Sequence, residues 1–200
     1  MPRKKYKKEI ESIPEHIKIC SNCKLCKTRN NVVIGRGVIP ADVLFLGEAP
    51  LPVDDLIGMP FLGTRAKFLT KMFSDSVEEC QKSFPSYFIT NTILCVPYSW
   101  DKKEKKNIYR SPKLEEILKC KKNVFKIIWT VKPKIICFIG KEAEKYYLND
   151  LKSMSNYVIK RLNHPGFLAK SGGESSPYYG TNIRYLTEII EKIERINLKK

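Results

Sequence analysis

The sequence predicts an α/β fold: a central, mainly parallel four-stranded sheet with helices on both faces. Three observations carry this. Short apolar runs alternate along the chain with segments of helical spacing, as strands joined by helical crossovers do. The runs are continuously apolar, as strands buried on both faces must be. Polar motifs, Gly47-Glu48-Ala49-Pro50, Asn91 and His164-Pro165, sit at the carboxyl ends of three runs, where such sheets place their sites.

Taken in order, residues 5–18 have helical spacing, ended or interrupted near Pro14. ADVLFLGEA is a short apolar run closed by Gly47, a buried strand. TRAKFLTKMFSD returns to helical spacing. YFITNTILC is a second strand, rich in β-branched and aromatic residues. Residues 112–131 read as a helix, with Ser111 as N-cap and Pro112 at N1. KIICFIG is a third strand, KEAEKYYL a helix, YVIKRLNHP a fourth strand, and NIRYLTEIIEKIERI a closing amphipathic helix. A length of 200 residues suits one domain, 1–200, with a basic N-terminal helix (1–19) and a basic tail (197–200).

Composition narrows the partners. Apolar residues make up 42%, enough for a core, and no apolar run is long enough to span a bilayer. The basic start MPRKKYKKEIES has no apolar signal core behind it, so an intracellular protein is expected, cytoplasmic or nucleoid-associated. In that reducing setting seven cysteines, an odd number, read as ligands and buried thiols rather than disulfides. The net charge of +16 is concentrated in PRKKYKK, DKKEKKNIYR and the final LKK. It admits two readings: a Lys-rich surface, or contact with the phosphates of a nucleic acid.

Four cysteines form the most specific pattern. Cys20 and Cys23 make a C-x2-C pair, Cys95 follows the second strand, and Cys120 lies in the 112–131 helix. A close pair with two distant single cysteines suits a buried metal or iron–sulfur site. Four thiolates are equally the ligand set of a structural zinc, and Cys26 is close enough to be an alternative ligand.

These segments together resemble the family 4 uracil-DNA glycosylases, the iron–sulfur branch of that superfamily, from Cys20 to about Leu168. C-x2-C-x-L-x2-TR matches CSNCKLCKTR, and GEAP-x4-D-x2-G-x-PF-x-G matches GEAPLPVDDLIGMPFLG. TN-x3-C-x-P matches TNTILCVP, R-x-P-x3-E-x3-C matches RSPKLEEILKC, and HP-x2-L matches HPGFL. The resemblance implies a three-layer α/β/α sandwich and a [4Fe–4S] cluster on Cys20, Cys23, Cys95 and Cys120. It implies a monomer that removes uracil from single- or double-stranded DNA. Cys26, Cys80 and Cys137 are then spectator or structural thiols.

Residue chemistry fits that activity. A glycosylase must unstack a nucleotide and hold its base in a pocket. Phe61 offers a flat apolar face for the base. Asn91 offers one acceptor and one donor on a fixed fork, matching N3–H and O4 of uracil and opposing the reversed polarity of cytosine. His164 can donate towards uracil O2 as the leaving base becomes an anion. Glu48 can stabilise the cationic sugar or orient water. Asp54 is either a second catalytic carboxylate or a loop tie. Gly47 and Ala49 line the pocket through their backbone. No lysine is placed by motif as a Schiff-base nucleophile, so strand cleavage is not expected.

Departures from the family pattern bear on specificity. Leu51 stands where the family has Gly and a related branch has a bulky aromatic facing uracil C5, so it either walls off the thymine methyl or distorts the loop. Ala49 stands where a related branch carries a water-activating Asp. Val96 and Leu94 replace basic residues beside Cys95, and the Lys-rich insertion SWDKKEKKNIY follows. The stretch from Gly140 to His164 is short, with Arg161 in place of a longer Arg-Gly hairpin. Two alternatives stand beside uracil excision: a glycosylase for another modified base, and an inactive iron–sulfur DNA-binding module.

Overall fold

A computed structural model describes residues 10–154 and 157–198, the side chains of 64–66 excepted. Strands β1 (Arg36–Gly37), β2 (Val43–Gly47), β3 (Tyr87–Asn91), β6 (Ile135–Ile139) and β7 (Val158–Leu162) form one sheet in the order β1-β3-β2-β6-β7. The four longer strands are parallel, as expected. The expected count of four becomes five because the two-residue β1 adds antiparallel to β3 at one edge. A second, two-stranded sheet pairs β4 (Tyr98–Asp101) with β5 (Lys106–Tyr109) inside the Lys-rich insertion.

Successive strand residues point to opposite faces, and each face is apolar. Leu44, Leu46, Ile136 and Phe138 join one core with α4 (Leu114–Val131) and α5 (Lys141–Ser153). Val43, Phe45, Ile135, Cys137 and Ile139 join the other, with α3 (Thr64–Cys80) and α7 (Pro177–Leu198). This double coverage is why β2 and β6 read as unbroken apolar runs. Cys137 is a buried core thiol, and Cys80 donates to the Ser76 carbonyl one helical turn earlier.

Several boundaries differ from the sequence expectation. Residues 1–9 of the N-terminal helix, and 199–200 of the tail, lie outside the described residues. Within 10–19 the helix is short: α1 (Glu15–Lys18), with Pro14 as its N-cap, so the proline starts the helix rather than ending one. The tail is helical through Leu198. The N-cap of α4 is Lys113, not Ser111. Its amide donates to Glu116 Oε2 (2.8 Å), and that reciprocal cap outweighs the Ser-Pro signal. Two Pro-led helices, α2 (Pro52–Ile57) and α6 (Pro165–Lys170), follow the site motifs. No described helix is long and apolar enough to cross a membrane.

Candidate functional site

The sheet brings the motifs together at its carboxyl end. Gly47 and Asn91 are register partners on β2 and β3. Gly140, just past β6, lies against His164, just past β7. The loop from Glu48 to Gly63 closes over these strand ends. A cavity of about 220 Å³ results, with Glu48, Ala49, Leu51, Asp54, Phe61, Asn91 and His164 in its wall. Thus nearly every pocket residue expected from the sequence is brought to one place, with Gly47 behind the wall. Tyr109 and Ser111, at the root of the β4–β5 hairpin, complete it.

Asn91 is 1% exposed, and neither Oδ1 nor Nδ2 has a hydrogen-bond partner among the described residues. Its neighbours are fixed. Thr90 donates to the Ile34 carbonyl (2.6 Å), Thr92 N donates to Gly47 O (2.8 Å), and Tyr147 donates to Thr92 O (2.9 Å). The fork is therefore held by its backbone with both ends left for something else. An unpaired buried polar group costs about 1–3 kcal/mol, so such an arrangement points to a ligand.

Phe61 lies beside it. A Cβ on Gly47 would come within 2.6 Å of the Phe61 ring and 2.5 Å of Asn91 Oδ1, so the ring and the amide meet only because residue 47 has no side chain. Phe61 has φ 56°, a left-handed conformation that bulky residues avoid. Two charged side chains hold it there. Asp54 Oδ1 accepts from Leu62 N (3.1 Å), and Arg36 Nη2 donates to Phe61 O (3.2 Å). Asp54 Oδ2 also accepts from Leu51 N (2.9 Å), capping α2. Of the two roles open to Asp54, its contacts are those of the loop tie. Burial, the largest influence, pushes its carboxyl above the ordinary range against the pull of those amides and Arg36.

Asp55, which fills the acid position of the GEAP motif, is fully buried on the other side of α2. It accepts from Asn30 N and Asn31 N, each within 3.0 Å, and from Asn30 Nδ2 at 2.7 Å. Neither Asp55 nor Arg36 is among the site residues expected from the sequence. The motif position marks Asp55, whereas Arg36 lies outside every motif.

His164 is the N-cap of α6, and its Nδ1 accepts from Gly166 N (3.0 Å). A neutral imidazole with Nδ1 so occupied carries its proton on Nε2. Glu48 lies between this pocket and a second cavity of about 370 Å³ that also meets Lys141, Glu142, Arg161 and His164. Burial first, and repulsion from Glu142 second, raise the Glu48 carboxyl above its ordinary value. Arg161 is engaged with Glu144 (2.7 Å) on that rim.

Cys20, Cys23, Cys95 and Cys120 line one small, mainly apolar cavity, with Arg29 and Asn123; Cys26 is not part of its wall. Two donors point at sulfur: Arg29 Nη1 to Cys95 Sγ and Asn123 Nδ2 to Cys20 Sγ, both 3.2 Å. Burial pushes the Cys95 thiol up to about 11 despite Arg29. Among the described residues no three Cys, His, Asp or Glu are grouped as ligands of a single ion.

Fold and pocket together define an α/β protein whose cavity at the carboxyl end of the sheet sets the Phe61 ring beside the Asn91 amide. A family profile described as the uracil DNA glycosylase superfamily matches residues 34–193. The chain is 31% identical over 151 residues to a type-4 uracil-DNA glycosylase of Saccharolobus solfataricus, covering 76% of this chain and 64% of that protein. It is 33% identical over 153 residues to one of Sulfurisphaera tokodaii, covering 76% and 63%. With one of Archaeoglobus fulgidus it shares 30% over 189 residues, covering 92% and 88%. The chain belongs to the uracil DNA glycosylase superfamily. The matched part spans somewhat under two thirds of the first two relatives.

Proposed function

We propose that the protein is a monofunctional uracil-DNA glycosylase, which hydrolyses the bond between uracil and deoxyribose and leaves an abasic site for base excision repair. The observation that carries this is the fixed, unpartnered Asn91 amide beside the Phe61 ring. Uracil would stack on Phe61, accept from Nδ2 through O4 and donate N3–H to Oδ1. Leu51 would stand near C5 and disfavour the methyl of thymine. In the reaction the C1′–N1 bond breaks and its electron pair goes to the base, spreading to O2. The Nε2–H of His164 stabilises that charge, and Glu48, when ionised, stabilises the cationic sugar and orients the water whose oxygen joins C1′, the proton that water loses passing through solvent to the uracil anion.

The four cysteines fit a [4Fe–4S] cluster. They supply four thiolates in a partly buried wall with N–H donors aimed at sulfur. Four thiolates would also suit a structural zinc, and metal analysis separates the two. A cluster here would supply a structural link between the N-terminal segment, the end of β3 and α4. The protein is expected to act as an intracellular monomer on DNA.

The test is purified protein against single- and double-stranded oligonucleotides carrying uracil, hypoxanthine or a 5-substituted uracil, followed by alkaline cleavage at abasic sites. Uracil excision that collapses in Asn91→Asp and His164→Ala supports the proposal. Excision of another base instead would shift the substrate, and DNA binding without excision would leave a binding module.

A further inference from the structure

We infer that the β4–β5 hairpin is a strand-binding arm in which Trp100 stacks on a nucleobase next to the one held in the pocket. This rests on the nucleic-acid reading above. The root of the hairpin is already part of the site, because Tyr109 lines the base pocket. Tyr98 pairs with Tyr109 and Trp100 with Asn107, so all four side chains share one face of the ribbon. Trp100 lies two residues beyond Tyr98, roughly 7 Å further along the ribbon. Stacked bases are about 3.4 Å apart on a strand, so that distance is the reach of a neighbouring base or the next.

Trp100 is 61% exposed, an indole held out on the hairpin surface. The tip supplies the complementary charge for a phosphate backbone: Lys102, Lys103, Lys105 and Lys106 are all exposed. Of the two local acids, Asp101 accepts from Lys103 N (2.8 Å) and Glu104 N (2.9 Å) in the turn, and Glu104 pairs with Lys106 (3.3 Å), leaving Lys102, Lys103 and Lys105 in excess. The arm is fixed at its base, where Arg110 N donates to Pro97 O (3.0 Å) and the Arg110 guanidinium grips Glu116 on α4. An aromatic platform flanked by lysines is how single strands are held without sequence preference.

The chain has two tryptophans, so Trp129→Phe leaves Trp100 as the sole indole reporter. That variant is titrated with a labelled single-stranded oligonucleotide lacking uracil, following indole emission and DNA anisotropy together. The expected result is strong quenching that saturates with binding. Trp100→Leu should weaken affinity about ten-fold and Trp100→Phe much less, since stacking on one side chain is worth about 1–3 kcal/mol. Unchanged emission at saturating DNA, or equal affinity in Trp100→Leu, overturns the arm. Uracil excision by the Trp129→Phe variant is measured in parallel. Excision without quenching sinks the arm and keeps the glycosylase. Quenching without excision keeps the arm and sinks the glycosylase.

Discussion

A buried amide with no hydrogen-bond partner weakens the fold that contains it, and among the described residues Asn91 is such an amide. Replacing it with leucine, which branches at Cγ in the same way, removes two unpaired polar atoms. Asn91→Leu should therefore raise stability in urea denaturation by about 1–3 kcal/mol while cutting single-turnover uracil excision by at least about 100-fold. A variant less stable than the parent but fully active would contradict the site. Glu48 gives a pH signature. Its folded pKa is raised, so the protonated form is favoured on folding. Its contribution to stability declines as pH climbs from the ordinary carboxylate value through the raised one. Activity that needs the anion rises across the same window. The acid limb of excision should lie above an ordinary glutamate, and Glu142→Gln should move it to lower pH by removing the second cause. An unmoved limb would mean that another group sets it.

Helix α4 carries a cap, an ion pair and one of the four cysteines. Arg110 and Glu116, both motif positions, meet through two hydrogen bonds (2.8 and 2.5 Å), and Glu116 also takes the Lys113 amide. Burial opposes the Glu116 anion, but these partners win and hold its carboxyl below the usual range. Glu116→Gln should cost roughly 1–3 kcal/mol at neutral pH. Because the folded pKa is depressed, the difference from the parent should disappear as pH falls through it, which urea melts at a series of pH values would show. The elements legible in the sequence are those with periodicity: β2, β3, β6 and β7, and the long helices. The ones that escaped are short or locally encoded. Helices α2 and α6 have six residues each, too few to display a period, and start at prolines that read as turns. The hairpin lacks an Asn-Gly turn and reverses with Lys105 left-handed after an Asp101 cap, so its lysines masked the alternation in YSW and NIY. In the site, residues that line the cavity are visible by type, whereas Arg36 is not. It acts on a backbone carbonyl 25 positions away, and nothing local announces that contact.

At the scale of the whole molecule, charge and cysteine placement make two further expectations. With a net charge of +16, DNA affinity should fall steeply with salt, and neutralising the four lysines of the hairpin tip should flatten the log–log slope by about one unit for each phosphate they had neutralised. An unchanged slope would make the tip a solvated loop. Iron analysis should find about four irons per chain in the parent and in Cys26→Ala, but not in Cys20→Ala or Cys120→Ala. Stoichiometric zinc in an active protein would replace the cluster with a single ion.

The open Asn91 fork also bears on what happens after the bond breaks. On the proposed function its two atoms meet the edge of the base, and nothing in that recognition involves the sugar. A released uracil can therefore keep both bonds and the Phe61 stack. The free base should behave as a competitive product inhibitor and raise the melting temperature, whereas free cytosine should do neither. Departure of the product, rather than scission, would then set the pace of repeated turnover.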